Sequence, residues 1–168
     1  MSFKVPVTDL LKHPGNMREA TLSHGLAEDV GTPVAKLPKG SEIQVELRLE
    51  SVHEGILATG EVFGVADLVC SRCLDPIKLE IEVDFQELFA YSSSSDDELV
   101  VDGEHIDLEQ LVIDSVVLNL PFQPVCSPDC LGLCAECGEK LIENPSHEHQ
   151  KPIDSRFEAL KDLLSKEE

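Results

Sequence analysis

Hydrophobic and polar residues alternate strictly in the stretch IQVELRLE, residues 43–50. A period of two is typical of a strand with one buried side and one side in solvent, so this stretch predicts a β-strand. The alternation returns in residues 77–85, and the less regular residues 55–70 also favour a strand with bends at its glycines. Because the two later strands flank the sequence CSRCLDP, they predict a hairpin with two cysteines at its tip.

In two later segments of the chain, apolar residues recur at helical spacing instead of alternating with polar ones. Asp107 is a candidate N-cap, the leucines and valines of residues 108–120 recur at helical spacing, and Pro121 ends the element. The closing sequence DSRFEALKDLL predicts a second short helix. We assign residues of about 143–168 to a polar hinge and this C-terminal helix.

The remaining segments carry weaker patterns. Residues 3–11 predict a short strand stopped by HPGN, and residues 12–40 predict loops with at most one weak helix. The serine- and aspartate-rich residues of about 91–105 predict an acidic mobile loop. Together the patterns predict a single domain over residues 1–168. Its fold class would be α+β, an antiparallel β-sheet with a few helices and a cysteine-rich, zinc-knuckle-like loop.

The charge of the chain changes the range of expected partners. The formal net charge is −20, and residues 79–139 hold fifteen Asp and Glu with no Lys or Arg. Such a field repels phosphate backbones, because nucleic-acid affinity comes largely from cations that displace counterions. Direct RNA binding is therefore not expected, whereas basic proteins would be attracted.

The absence of hydrophobic targeting signals bears on the state of the cysteines. The first residues show no apolar signal-peptide core, and no apolar run approaches the roughly 20 residues that span a bilayer. We therefore expect a cytoplasmic protein with no membrane partner. Thiols stay reduced in that compartment, so the six cysteines of this chain indicate metal binding or redox chemistry rather than structural disulfides.

Four of the cysteines form two C-x2-C pairs. Two residues between the thiols let a tight turn aim both sulfurs at one point, and Gly138 can supply the positive φ that such a turn often needs. Two such turns facing each other would give a closed tetrahedral S4 site, which suits a structural Zn²⁺. The predicted ligands are Cys70, Cys73, Cys134 and Cys137.

Two alternatives to this ligand set remain open at the level of sequence. The first is a local site made from the later cysteines, in which histidines could replace one or two thiols; its members would come from Cys126, Cys130, Cys134, Cys137, His147 and His149. The second is a chain that binds no metal tightly.

Catalysis is not expected from this sequence. It contains no G-x-S-x-G, no glycine-rich phosphate loop and no H-E-x-x-H, and a metal held by four cysteines keeps no open position for a substrate. A redox C-x2-C would favour a helix N-terminus at its first cysteine, whereas Cys70 follows a predicted strand. The chain is therefore predicted to be no enzyme, with no small-molecule substrate.

The order of the cysteine hairpin, LVCSRCLDPIKLEIEVDFQELF, the helix IDLEQLVIDSVVLNLPFQPVC and the turn DCLGLCAECGEKL resembles the YceD family. These are the bacterial large ribosomal RNA subunit accumulation proteins, and the similarity extends over residues of about 3–164. His147 and His149 stand where similar members often carry further cysteines, which resembles the high-GC Gram-positive type.

The resemblance implies a non-enzymatic factor for accumulation or processing of the large-subunit (23S) rRNA in ribosome biogenesis. Combined with the acidic charge, it predicts contact with a basic ribosomal protein or with a ribosome-assembly or RNA-processing factor. Two other functions remain open. One is a cytosolic metal-handling or thiol-redox protein, and the other is a direct RNA-binding module.

Overall fold

The computed structural model describes residues 3–92 and 99–149. Within these residues the fold is mainly antiparallel β-structure with one helix. The strands are β1 (Lys4–Pro6), β2 (Met17–Gly25), β3 (Val30–Thr32), β4 (Ala35–Leu37), β5 (Glu42–Ser51), β6 (Gly55–Val69), β7 (Pro76–Ala90) and β8 (His105–Asp107), and the helix is α1 (Glu109–Asn119).

The long strand β6 organises the main sheet. On one side it pairs with β5 and, further along, with β4; on the other side it pairs with β7, and every pairing is antiparallel. The register places Val62 between Val45 and Val83, and all three side chains are buried. The strands predicted from residues 43–50, 55–70 and 77–85 are therefore confirmed, and so is the cysteine hairpin.

The core lies on one face of this sheet. The two-stranded sheet of β1 and β8 and the helix α1 contribute to the same hydrophobic cluster, with Phe3, Val112 and Val116 fully or almost fully buried. The predicted helix is confirmed as Glu109–Asn119. Its N-cap is Leu108, so the prediction of Asp107 at that position is wrong by one residue. The carboxylate of Asp107 nevertheless accepts a hydrogen bond from the Glu109 N–H at 3.0 Å, which satisfies one of the free donors of the first turn.

The prediction of loops in residues 12–40 is wrong, because this segment contains β2, β3 and β4. Strand β2 reads MREATLSHG and offers few apolar residues, so its alternation is hard to detect in the sequence. It becomes a strand by pairing with β5 over nine positions, from Met17 opposite Glu50 to Gly25 opposite Glu42. Tertiary pairing here outweighs weak local propensity.

The structure describes only parts of the predicted acidic loop, residues of about 91–105, and of the predicted hinge and C-terminal helix, residues of about 143–168. Residues 99–101 hydrogen bond with the end of β7, where the Ala90 N–H donates to the Leu99 carbonyl at 2.8 Å. Residues 93–98 of the predicted acidic loop and residues 150–168, which include the predicted C-terminal helix, lie outside the described residues. Across the described part, no helix has the length and apolar character needed to cross a membrane.

Candidate metal centres

The tip of the β6–β7 hairpin is a tight turn built around Cys70 and Cys73. The Cys70 N–H donates to the carbonyl of Asp75 at 2.8 Å, and the Leu74 N–H donates to the carbonyl of Cys70 at 3.0 Å. Leu74 has a φ of 60°, so the chain reverses through the left-handed region. This backbone brings both sulfurs to the same side, and both cysteines are buried.

Residues 134–139 form a turn with the same pattern of hydrogen bonds. The Cys134 N–H donates to the carbonyl of Glu139 at 2.8 Å, and the Gly138 N–H donates to the carbonyl of Cys134 at 2.9 Å. Gly138 occupies the position equivalent to Leu74 and has a φ of 76°. Each C-x2-C turn therefore presents two sulfurs in a similar geometry, which amounts to half of a tetrahedral site.

The hairpin turn is completed by cysteines from the loop after α1. The sulfur of Cys70 lies 3.9 Å from that of Cys130, and the sulfur of Cys73 lies 3.5 Å from that of Cys126. Four thiolates at zinc bond lengths would be separated by about 3.8 Å along the edges of a tetrahedron. Both measured distances are close to this value, and the sulfurs of Cys70, Cys73, Cys126 and Cys130, here named the four-cysteine group, all lie within 4.8 Å of one another.

Backbone contacts fix the loop against the hairpin tip. The Ser71 N–H donates to the carbonyl of Pro124 at 2.8 Å, and the Cys126 N–H points at the sulfur of Cys70 at 3.4 Å. The guanidinium of Arg72 donates to the carbonyl of Cys130 at 3.0 Å. The side chain of Arg72 therefore holds the loop by a hydrogen bond to the backbone of the loop.

The second turn is completed by two histidines. The Nε2 atom of His147 lies 3.1 Å from the sulfur of Cys137 and 2.8 Å from the Nε2 atom of His149. Together with Cys134 these residues place one potential ligand atom each within 4.8 Å of the others, and we name them the Cys2His2 group. Two thiolates and two imidazoles are also a donor set that suits zinc.

Carboxylates contact the outer nitrogens of both histidines. The Nδ1 atom of His147 lies 3.0 Å from Glu139, and the Nδ1 atom of His149 lies 3.4 Å from Glu136. A carboxylate near Nδ1 favours the tautomer with its proton on that nitrogen, and in this tautomer Nε2 carries the lone pair that a metal needs. This is the outer arrangement that commonly supports histidine ligands of zinc.

The predicted set of Cys70, Cys73, Cys134 and Cys137 is not brought together; the structure divides it between the two groups. The reason is the path of the chain after α1. Residues 124–130 lie directly against the hairpin tip, and the second turn comes only after them in the sequence. The local alternative is similarly divided, since Cys126 and Cys130 face the hairpin while His147 and His149 join Cys134 and Cys137. Metal binding by either group stays a prediction.

The two groups nevertheless lie side by side. The Leu133 N–H donates to the carbonyl of Arg72 at 3.1 Å, and the ammonium of Lys140 pairs with Asp75 at 2.5 Å. This ion pair holds the pKa of Asp75 below its usual value and that of Lys140 above it. A backbone hydrogen bond and an ion pair therefore attach the second turn to the first.

Backbone N–H groups favour the thiolate form of the first cysteine in each turn. The N–H of Cys73, with smaller contributions from those of Cys126 and Arg72, lowers the pKa of Cys70 to about 6. For Cys73, a backbone N–H from Asp75 lowers the pKa, but burial and the neighbouring thiols raise it to about 12. The pKa of Cys134 is likewise lowered, by the N–H groups of Cys137 and Glu136. Thiolates are the form that binds metal.

Sequence analysis missed a row of carboxylates on the solvent face of the main sheet. Glu46 on β5 lies directly opposite Glu61 on β6, and Glu61 lies directly opposite Asp84 on β7. We name these three residues the acidic row; they line an open cleft of about 810 Å³. The alternation in the sequence places Glu46 and Asp84 on the solvent side of their strands, but only the register between strands shows that they lie on either side of Glu61.

The acidic row is electrostatically strained. Burial by its neighbours raises the pKa of Glu61, and the charges of Asp84, Glu82 and Glu46 raise it further. Like charges directly opposite each other in a sheet destabilise the pairing. The fold therefore keeps these carboxylates together at a cost in stability.

Comparison with known proteins identifies relatives along most of the chain. An uncharacterized protein of Mycobacterium tuberculosis (strain ATCC 25618 / H37Rv) is 41% identical over 171 residues, covering 97% of this chain and 82% of the relative. An uncharacterized protein of Mycobacterium leprae (strain TN) is 37% identical, covering 95% of this chain and 76% of the relative. The uncharacterized protein YlbN of Bacillus subtilis (strain 168) is 24% identical, with 76% and 77% covered. No solved structure matches the chain.

The profile of one protein family also matches the chain. The family is described as large ribosomal RNA subunit accumulation protein YceD, and the match spans residues 58–164, from near the start of β6 onward. The matched part includes both cysteine turns, the loop after α1 and both histidines. Together with the mycobacterial relatives, this match confirms the resemblance seen in the sequence: the chain belongs to the YceD family and is of the high-GC Gram-positive type.

Proposed function

We propose that this protein is a non-enzymatic, cytoplasmic factor for accumulation of large-subunit rRNA, and that it acts in ribosome biogenesis by binding a basic protein. The family description supports the role in rRNA accumulation. The acidic row supports the choice of a basic partner, because a surface that tolerates repulsion between its own charges gains most when cations arrive.

The chemistry of the acidic row defines what would bind there. Glu46, Glu61 and Asp84 lie across three adjacent strands, so they face one ligand surface from a rigid sheet. Lys and Arg side chains of a partner would replace repulsion by attraction, and the field of a −20 chain would speed the encounter. Ribosomal proteins that contact rRNA are rich in such cations, which makes them the expected class of partner.

The same charges argue against direct RNA recognition. A phosphate backbone approaching the open cleft would meet four carboxylates, those of Glu19, Glu46, Glu61 and Asp84, and a single cation, Arg48. Arg48, which also lines the cleft, is already paired with Glu50. Protein contact is therefore the mode of action that the described surface supports best.

We propose zinc in the four-cysteine group as a structural cofactor. Four thiolates fill a tetrahedral coordination shell, so no position remains for substrate or activated water. The ion would join the hairpin tip to residues 126–130 and keep the end of the sheet in place. Its cysteines would be poor redox catalysts, because three of the four are buried and inaccessible to a partner thiol.

The proposal can be tested with two variants of equal charge. The first, Glu46→Gln/Glu61→Gln/Asp84→Asn, removes the acidic row; the matched control, Glu28→Gln/Glu54→Gln/Glu104→Gln, removes three exposed carboxylates from loops. Each is expressed in a strain that lacks the wild-type copy, its partners are identified by affinity purification, and the 23S rRNA level is measured. We expect the row variant to lose a basic ribosomal protein and rRNA accumulation, while the control keeps both.

Two results would contradict the proposal. The first is equal recovery of basic partners by both variants. The second is binding of the purified wild-type chain to rRNA fragments at physiological salt that persists against competitor nucleic acid, since this would indicate a direct RNA-binding module.

A further inference from the structure

We propose that Cys134, Cys137, His147 and His149 hold a second zinc ion of their own, and that this ion exchanges with solvent more readily than the ion of the four-cysteine group. Binding would release the protons of the two thiols to water and leave both imidazoles neutral. The inference is independent of the proposed partner and of the role in rRNA accumulation, but its count of two ions and its comparison of exchange rest on the zinc proposed above for the four-cysteine group.

The first argument is the equivalence of the two turns. In each, the N–H of the first cysteine donates to the residue five positions later, and the first cysteine accepts from the residue four positions later. A turn of this kind supplies two ligands, and a tetrahedral zinc needs four. The four-cysteine group already takes both sulfurs of the hairpin tip, so the turn of residues 134–139 requires a different second pair.

The second argument is that the histidines supply this pair in a metal-ready form. Glu139 and Glu136 lie near the Nδ1 atoms of His147 and His149, at 3.0 and 3.4 Å, and so favour the tautomers whose Nε2 atoms can bind a metal. Both Nε2 atoms lie together with the two sulfurs, so that the four potential ligand atoms are within 4.8 Å of one another. The edges of an S2N2 tetrahedron measure about 3.3–3.8 Å. His147 Nε2 would therefore move away from Cys137 Sγ and from His149 Nε2, now at 3.1 and 2.8 Å, by about half an ångström on binding.

The third argument concerns accessibility and predicts faster exchange. In the four-cysteine group Cys70, Cys73 and Cys130 are buried, and Cys126 is exposed. In the Cys2His2 group no ligand is buried, and Cys137 and His149 are exposed. A chelator or a competing thiol can therefore reach two ligands of the second site directly, but only Cys126 of the first.

The test counts zinc in the full chain by native mass spectrometry after purification without chelators. We expect two ions in the wild type and one in His147→Asn/His149→Asn. The matched control His53→Asn/His105→Asn changes two exposed histidines elsewhere and should keep two ions. One ion in the wild type, or two in the His147/His149 variant, would overturn the inference.

Cobalt substitution reports on the ligands themselves. The wild type should show the absorption of one S4 site plus one S2N2 site, and the His147→Asn/His149→Asn variant should keep the S4 bands alone. This variant changes only the Cys2His2 group, so retention of the S4 spectrum also shows that the variant protein has folded. A wild-type spectrum of a single S4 centre would contradict a second site.

Release kinetics test the exchange. With a chromogenic chelator in excess, the wild type should lose one zinc in a fast phase and one in a slow phase, and the His147→Asn/His149→Asn variant should lack the fast phase. Glu136→Gln/Glu139→Gln should keep both ions but weaken the second by about 10–100-fold, because the carboxylates orient the imidazoles. Loss of both ions in one phase from the wild type would refute the difference in exchange.

Discussion

Leu74 and Gly138 occupy equivalent positions in the two cysteine turns, with φ values of 60° and 76°. Glycine enters this left-handed region freely, whereas a side chain with a Cβ atom is strained there. Leu74 is exposed, and the added Cβ at Gly138 would meet no neighbouring atom within 4 Å. The two positions therefore differ in backbone strain with little difference in packing.

Exchange of these two residues provides a direct test of backbone strain. We expect Gly138→Leu to destabilise the folded protein by about 1–2 kcal/mol, and Leu74→Gly to stabilise it by up to about 1 kcal/mol. Urea unfolding of the zinc-loaded proteins measures both free energies. Changes of the same sign in the two variants would contradict this account.

Glu61 makes a second prediction at the residue scale, through the dependence of stability on pH. Its raised folded-state pKa means that the folded protein binds this proton more tightly than the unfolded chain does. The resulting stabilisation is fully present below the ordinary pKa of 4.5 and is lost as pH rises through the raised value. Glu61→Gln should therefore be more stable than the wild type at about pH 7.5, with the difference shrinking toward about pH 3.5.

Unfolding by urea at the two pH values measures this difference. The control Glu28→Gln removes an exposed carboxylate outside the acidic row and should change stability little at either pH. A Glu61→Gln variant that is no more stable than the wild type at neutral pH would show that the acidic row carries no strain.

At the scale of elements, an aromatic ring of β7 lies against the backbone of β6. Gly60 lies opposite Phe85 on β7, and a Cβ atom at Gly60 would approach the Phe85 ring to 2.6 Å and the Glu46 carbonyl oxygen to 2.9 Å. Gly60 thus lets the buried ring lie against the strand backbone while β5 pairs on the other side. The glycine is required by packing, since its φ is ordinary.

The substitution Gly60→Ala should destabilise the sheet by about 1–3 kcal/mol, because both close contacts must be relieved by shifts of buried groups. Gly25→Ala at the end of β2 is the control, since its nearest contact would be an ordinary 3.9 Å to the Gly40 carbonyl oxygen. Thermal unfolding measures both. Equal melting temperatures for the two variants would mean that Phe85 can move away without cost.

At the scale of the whole molecule, the metal groups and the sheet form separate packing units. The sheet core runs from Phe3 to Leu120, whereas Cys70, Cys73 and Cys130 form a small cluster at the hairpin tip. The aliphatic core contains the long β5–β6–β7 ladder, so its stability does not depend directly on an ion. The loops beyond α1 depend on the cysteine groups for most of their fixed geometry.

Metal removal should therefore loosen one end of the molecule. We expect strong chelation to lower the melting temperature by more than about 5 °C. Amide protection in hydrogen exchange should fall in residues 70–75 and 124–149 but persist in residues 43–63. Acidification should have the same effect, since protons compete with zinc for the thiolates. Uniform loss of protection across the sheet would show that the ions hold the whole fold together.

The extent to which the sequence predicts this protein differs between its elements. The alternation in β5 and β7 and the helical period of α1 come from neighbours in the chain, so these elements could be located in advance. Strand β2 could not, because its pairing with β5 provides what its own residues lack. The acidic row was also hidden, since register between strands decides which exposed carboxylates meet.

The cysteines show most clearly which features the local sequence determines and which depend on tertiary structure. By itself, the sequence determined the family, the acidic character, the long hairpin and the two C-x2-C turns, because each depends on local order or composition. Only the tertiary structure decided that Cys70 and Cys73 meet Cys126 and Cys130 while Cys134 and Cys137 meet His147 and His149. The physical reason is that a turn supplies half of a metal site, and the packing of loops that lie far apart in the chain chooses the other half.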